Sequence, residues 1–121
     1  MIGYVDDKGR ALLTISVRRN LAERTSVEIT TWIDTAFDGH LVFSRQLVQE
    51  LGLESLVETE AVLADGSKVV LETFVCFLDC FGEPLALQVI ANDGNVPLLG
   101  TGLLERRVLH IDYAQSSLTL D

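Results

Sequence analysis

The apolar residues of this chain come in short runs rich in Val, Leu, Ile and Thr, of which Val27-Glu28-Ile29-Thr30-Thr31-Trp32-Ile33 is typical. Charged or turn-forming residues close each run before a long helical periodicity can build. Such runs suit strands with one face buried, so the chain is expected to be all-β with one or two short helices. Its 121 residues, 48% of them hydrophobic with only 2 prolines, make about one domain, residues 1–121, with a small core. A core of that size favours further stabilisation by self-association.

Charge narrows the partners. Acidic residues number 18 against 9 basic ones, a net charge of -9, which disfavours a nucleic-acid partner. Charged residues interrupt every apolar segment and no basic, apolar leader precedes the first strand, so no membrane association and a cytoplasmic location are expected. Cys76 and Cys80 share one apparent strand, facing the same way and too far apart for easy bridging, and read as two buried thiols. Neither CxxC nor HExxH occurs. His40 near Asp38 lacks a third ligand at a familiar spacing, so neither a metal nor another cofactor is expected.

Along the chain, Tyr4-Val5, a turn at Asp6-Asp7-Lys8-Gly9, Arg10 to Val17 and Thr25 to Ile33 read as a meandering antiparallel sheet. Leu41-Val42-Phe43 leads to Ser44 as N-cap of a short helix from Arg45 to Leu51, stopped by Gly52, with Leu47, Val48 and Leu51 as its apolar face. Leu56 to Leu63 and Lys68 to Phe81 form a long hairpin around Ala64-Asp65-Gly66-Ser67. Gly82-Glu83 turns into Pro84 to Ala91, and Val96 to Gly100 supplies a core strand. Helical turns over Thr101 to Arg106 and strands at Val108 to Ile111 and Leu118 to Leu120 complete the chain. Ile33 to Leu47 has an approximate echo in Leu98 to Leu104. Trp32 is assigned to the core.

Asp34-Thr35-Ala36-Phe37-Asp38-Gly39 carries a carboxylate straight out of an apolar strand. An acid there either closes a turn on backbone amides or does chemistry, because burial without a partner costs it several kcal/mol or forces it to stay protonated. Asp38 and Asp65 read as turn acids. Gly100-Thr101-Gly102 lacks the lysine of a phosphate loop and reads as a packing turn.

Taken together, Trp32 to Gly39, the Ala64-Asp65-Gly66 hairpin and Pro97-Leu98-Leu99-Gly100-Thr101-Gly102-Leu103-Leu104 resemble the retroviral-type (retropepsin-like) aspartic protease family, most of all its small bacterial members. The resemblance runs from about Gly3 to Leu120 and lies in the order and spacing of the three blocks. It implies an acid-protease barrel with a flap hairpin. Ile33-Asp34-Thr35 matches the essential part of the catalytic triplet, while Ala36 stands where the family carries glycine and adds a Cβ beside the substrate.

The same resemblance implies that Leu98, Leu99 and Gly100 pass through the catalytic loop and fix its shape. One Asp-Thr pair per chain then means a homodimer with Asp34 from each subunit, acting on a polypeptide. Thr35 would tie the two loops together, and the Ala36 N–H would donate to Asp34. Phe37 would fill space behind the loop and Asp38 would begin the following turn, with Ala36, Phe37 and Asp38 also expected among the substrate-binding residues. Ala64, Asp65 and Gly66 would close over the substrate. The activity implied is an aspartic endopeptidase, with a catalytically inactive homodimeric peptide-binding module as the alternative.

Overall fold

The structure is a computed structural model that describes residues 1–56, 58–80 and 83–121, without the side chains of 59 and 80. Expectations about Val57, Phe81, the turn at Gly82 and the facing of the Cys80 thiol lie outside the described residues.

Among the described residues, twelve strands, one α-helix and one 3-10 turn follow one another. They are β1 (Ile2–Val5), β2 (Ala11–Arg18), β3 (Val27–Ile33), β4 (Leu41–Ser44), α1 (Arg45–Leu51), β5 (Glu54–Ser55), β6 (Thr59–Val62), β7 (Lys68–Leu71), β8 (Thr73–Cys80), β9 (Glu83–Asn92), β10 (Leu98–Leu99), the 3-10 turn Thr101–Leu103, β11 (Leu109–Asp112) and β12 (Ser117–Leu120). Ten strands form one sheet in the order β11-β12-β1-β2-β3-β10-β4-β9-β8-β5, and β6 with β7 forms a separate hairpin. A second pairing of β2 with β8, at Val17↔Leu78 and Arg18↔Phe77, curls the large sheet back over its own core. The fold of the described residues is therefore all-β with one α-helix against a curled sheet. Among the described residues no helix is long and apolar enough to cross a membrane.

Two features depart from a plain antiparallel meander. β10 runs parallel to β3 and antiparallel to β4, and β4 runs parallel to β9. The expected Val96–Gly100 strand shrinks to Leu98–Leu99, because the chain there is threaded between two strands distant in sequence. The expected strand beginning at Lys68 is two strands in different sheets. β7 ends at Leu71, and β8 pairs with β9 from Thr73↔Ile90. No glycine or proline marks the change, and only Glu72 separates β7 from β8.

The core is built from inward-facing rows. Ile33 pairs with Leu99, Leu99 with Leu41 and Leu41 with Val89, and all four are buried. Alternation continues back along β3, where Ile29 and Thr31 also point inward. Thr31 is fully buried and its hydroxyl donates to the Leu13 carbonyl at 2.8 Å, so the buried hydroxyl has a partner. Helix α1 begins and ends where its sequence says it should. Ser44 Oγ accepts from the Leu47 N–H at 3.1 Å, and Gly52 closes the helix in the left-handed region with φ 65°. Val48 is buried beneath it, with Leu47 and Leu51 packed against the core.

Candidate active site

Asp34 follows directly on the buried row Ile33-Leu99-Leu41-Val89, which anchors the start of its loop. The Trp32 N–H donates to the Pro97 carbonyl at 2.8 Å and the Asp34 N–H to the Leu99 carbonyl at 2.9 Å, continuing the parallel pairing one step past the strand. The Phe37 N–H then donates back to the Asp34 carbonyl at 3.2 Å, turning the chain. The side chain is half-buried rather than sunk in the core, and its Oδ1 accepts the Ala36 N–H at 2.9 Å. Among the described residues Oδ2 receives no hydrogen bond, leaving an oxygen able to accept or share a proton.

The Leu98–Gly102 segment threads through this loop. Its Gly100 N–H donates to the His40 carbonyl at 2.9 Å, Thr101 donates to the Phe37 carbonyl through its N–H at 2.7 Å and its hydroxyl at 3.2 Å, and the Gly102 N–H donates to the Gly39 carbonyl at 3.0 Å. Gly100 is required by space, because its φ of -96° is open to any residue. A Cβ there would stand 2.5 Å from Phe37 Cδ2, 2.7 Å from the Phe37 carbonyl oxygen and closer still to that of Gly39. Phe37 thus fills the gap behind the loop, wedged against Gly39 and Gly100.

Ala36 keeps the donor a glycine would offer. Its φ is negative, since the described non-glycine residues with positive φ are Arg106 and Ser116, and its side chain is exposed. The added Cβ therefore imposes no backbone strain. Thr35 is exposed beside Asp34, and Asp38 is exposed further along the loop.

An open cleft of about 410 Å³ is lined by Trp32, Ile33, Asp34, Thr35 and Leu98. Trp32 corrects the expectation of a core residue, for it is 39% exposed and carries the Arg10 guanidinium 5.8 Å from its ring centroid. The alternation of β3 holds the signal. With Thr31 and Ile33 inward, Trp32 must face out, and its size alone was a poor guide. Two further contributors are Thr101 and His40, which the pattern of the chain did not single out as parts of the loop's framework. His40 is half-buried and its Nδ1 accepts the Gln88 N–H at 3.1 Å. Only the fold brings Gln88 to it.

Ala64, Asp65 and Gly66 form the tip of the β6–β7 hairpin and do not line the cleft. Gly66 holds φ 86°, and the Leu63 N–H donates to the Ser67 carbonyl at 2.8 Å. Asp65 Oδ1 accepts the Ser67 hydroxyl at 2.6 Å and the Ser67 N–H at 2.9 Å, bonds that hold its carboxyl below the usual range. It is a turn acid. Val62, Leu63 and Val70 on the hairpin are exposed.

Elsewhere, Cys76 is fully buried, and burial pushes its thiol up to about 12. His110 lies exposed on β11. Among the described residues no group of three or more His, Cys, Asp or Glu side chains is placed to hold a metal ion.

Comparison of the sequence with protein families and with curated proteins finds no match. Comparison of structures does. A retropepsin-like aspartic protease from Rickettsia conorii superposes with a TM-score of 0.69 at 20% identity, covering 99% of this chain and 88% of the other. The retroviral protease-like domain of Ddi1 from Leishmania major superposes with a TM-score of 0.51 at 17% identity, covering 91% of this chain and 88% of that one. With Asp34 leaving β3 beside the threaded Leu98–Gly102 segment, the chain has the fold of the retropepsin-like aspartic proteases.

Proposed function

We propose that the protein is an aspartic endopeptidase that works as a homodimer, with one Asp34 from each subunit facing an extended polypeptide. The observation that carries this reading is the Asp34 carboxylate itself. It lies at a cleft, anchored on one oxygen by the Ala36 N–H and, among the described residues, without a hydrogen bond on the other, on a loop whose main chain is hydrogen-bonded to Leu98–Gly102.

A single carboxylate can take a proton from water but cannot at once give one to the scissile carbonyl. Two adjacent carboxylates sharing one proton do both, because repulsion between them separates their titrations. The ionised Asp34 removes a proton from water as its oxygen bonds to the carbonyl carbon, while the protonated Asp34 gives its proton to the carbonyl oxygen. Collapse of the tetrahedral intermediate breaks the C–N bond as the nitrogen takes a proton from one Asp34 and a hydroxyl of the intermediate returns its proton to the other, leaving the pair with one proton again. Thr35, exposed in one chain, is positioned in this reading to bond across the dimer axis and keep the two loops in register. The exposed hairpin carrying Ala64, Asp65 and Gly66 closes over a peptide bound through its main chain.

The test is cleavage of an unfolded-protein mixture by wild type and Asp34→Asn, from acidic to neutral pH and at several protein concentrations. Turnover lost in the variant, with specific activity rising as dilute protein is concentrated, supports the reading. A folded dimer that binds peptides without turnover moves it to a peptide-binding module.

A further inference from the structure

His40 joins three pieces of the site's framework. It closes the loop that Asp34 opens, and its carbonyl accepts the Gly100 N–H. Its ring Cδ2 stands 2.8 Å from where a Gly102 Cβ would be, so the ring occupies space that glycine vacates. Its Nδ1 accepts the Gln88 N–H at 3.1 Å. The β4–β9 pairing begins one residue later, at Leu41↔Val89, so the imidazole ties β9 to the residue just before the ladder starts.

This use of Nδ1 requires the neutral ring, with its proton on Nε2. Imidazolium carries N–H on both nitrogens, and its Nδ1–H would then meet the Gln88 N–H donor to donor. The charged groups on the surrounding elements are Asp34 and Asp38 in the same loop, Glu105, Arg106 and Arg107 just beyond Gly102, and the exposed Glu83 at the start of β9. β4 carries none, and Gln88 lies between Leu87 and Val89.

We propose that His40 is a positioning residue that couples the Asp34 loop to pH: the neutral ring locks the loop to β9, and protonation releases it. The effect on activity rests on the proteolytic reading above, whereas the effect on the loop does not. An enzyme built this way loses turnover on the acid side through its loop as well as through its carboxylates.

Three proteins decide it: wild type, His40→Asn, whose amide oxygen can accept the Gln88 N–H but cannot gain a proton, and His40→Ala. Gln88 amide protection is followed by NMR hydrogen exchange, corrected for intrinsic rates. In wild type it should fall roughly tenfold between neutral and acidic pH, the factor one lost hydrogen bond gives. It should stay level in His40→Asn and be low throughout in His40→Ala. If the protein cleaves peptides, the acid limb of kcat should move to lower pH in His40→Asn with KM unchanged, and His110→Asn should leave the profile alone. Equal pH dependence of Gln88 in wild type and His40→Asn, or full protection in His40→Ala, overturns the proposal. Absence of proteolysis alone bears only on the function, because the exchange measurement still decides the role of His40.

Discussion

Replacing Gly100 with alanine tests how the Asp34 loop is held. The new Cβ would sit 2.5 Å from Phe37 Cδ2 and 2.7 Å from the Phe37 carbonyl oxygen, with the Gly39 carbonyl nearer still. Two of these neighbours are main chain and cannot swing aside. One methyl forced into a packed site costs about 1–3 kcal/mol. Here the loops must also part, which weakens the bonds from Gly100 to His40 and from Gly102 to Gly39, each worth about 1 kcal/mol. A loss of about 3–4 kcal/mol follows, or roughly 10–15 °C in Tm for a domain of this size. Gly9→Ala is the control, since Gly9 has φ 77° and nothing within 4 Å, so only backbone strain of about 1–2 kcal/mol applies. Thermal unfolding followed by circular dichroism measures both. If Gly100→Ala loses no more than Gly9→Ala, the threaded segment does not fix the loop as described.

Ala36→Gly should keep the N–H to Asp34 bond, lose about 0.5–1 kcal/mol through a freer unfolded chain, and leave kcat/KM within about threefold. A large gain in turnover would show that the methyl obstructs the substrate. Ser44→Ala should cost about 1 kcal/mol by removing the cap of α1, read as a fall of about 4 °C in Tm, and no change in Tm would refute the role of the cap. Cys76, with its thiol pushed up to about 12 by burial, should resist alkylation in the native protein at pH ~8, as peptide mapping can show. Because the unfolded thiol ionises near 9.0, its contribution to stability is complete below that pH and declines as pH rises toward about 12. Denaturant midpoints on either side of pH ~9 check the sign, and labelling of native Cys76 would contradict its burial.

How much of this was legible in the sequence depended on whether the information was local. Helix α1 is the clearest case, because Ser44 and Gly52 each act through a neighbour within a few residues. The Asp65-Gly66 turn was equally local. Two parallel pairings and the change of sheet at Glu72 were not, since an extended apolar run looks the same whichever strand it meets. The site divided in the same way. Asp34 and its Ala36 donor are two residues apart and could be named from the chain. His40 and Gln88 are 48 apart and meet only once β4 and β9 pair. Trp32 is the counter-case, because its size points to the core while the alternation of its own strand turns it out into the cleft.

The central claim is that two copies of Asp34 form one catalytic centre. Subunit mixing tests it most directly. Wild type and Asp34→Asn are equilibrated in varying ratios at fixed total concentration, and specific cleavage is measured against the wild-type fraction. If each site needs both carboxylates, activity follows the square of that fraction, about a quarter at equal parts. A straight line, with about half the activity at equal parts, would mean that each chain carries its own site, and about three quarters would mean that one Asp34 in a shared site suffices; either would contradict the reading.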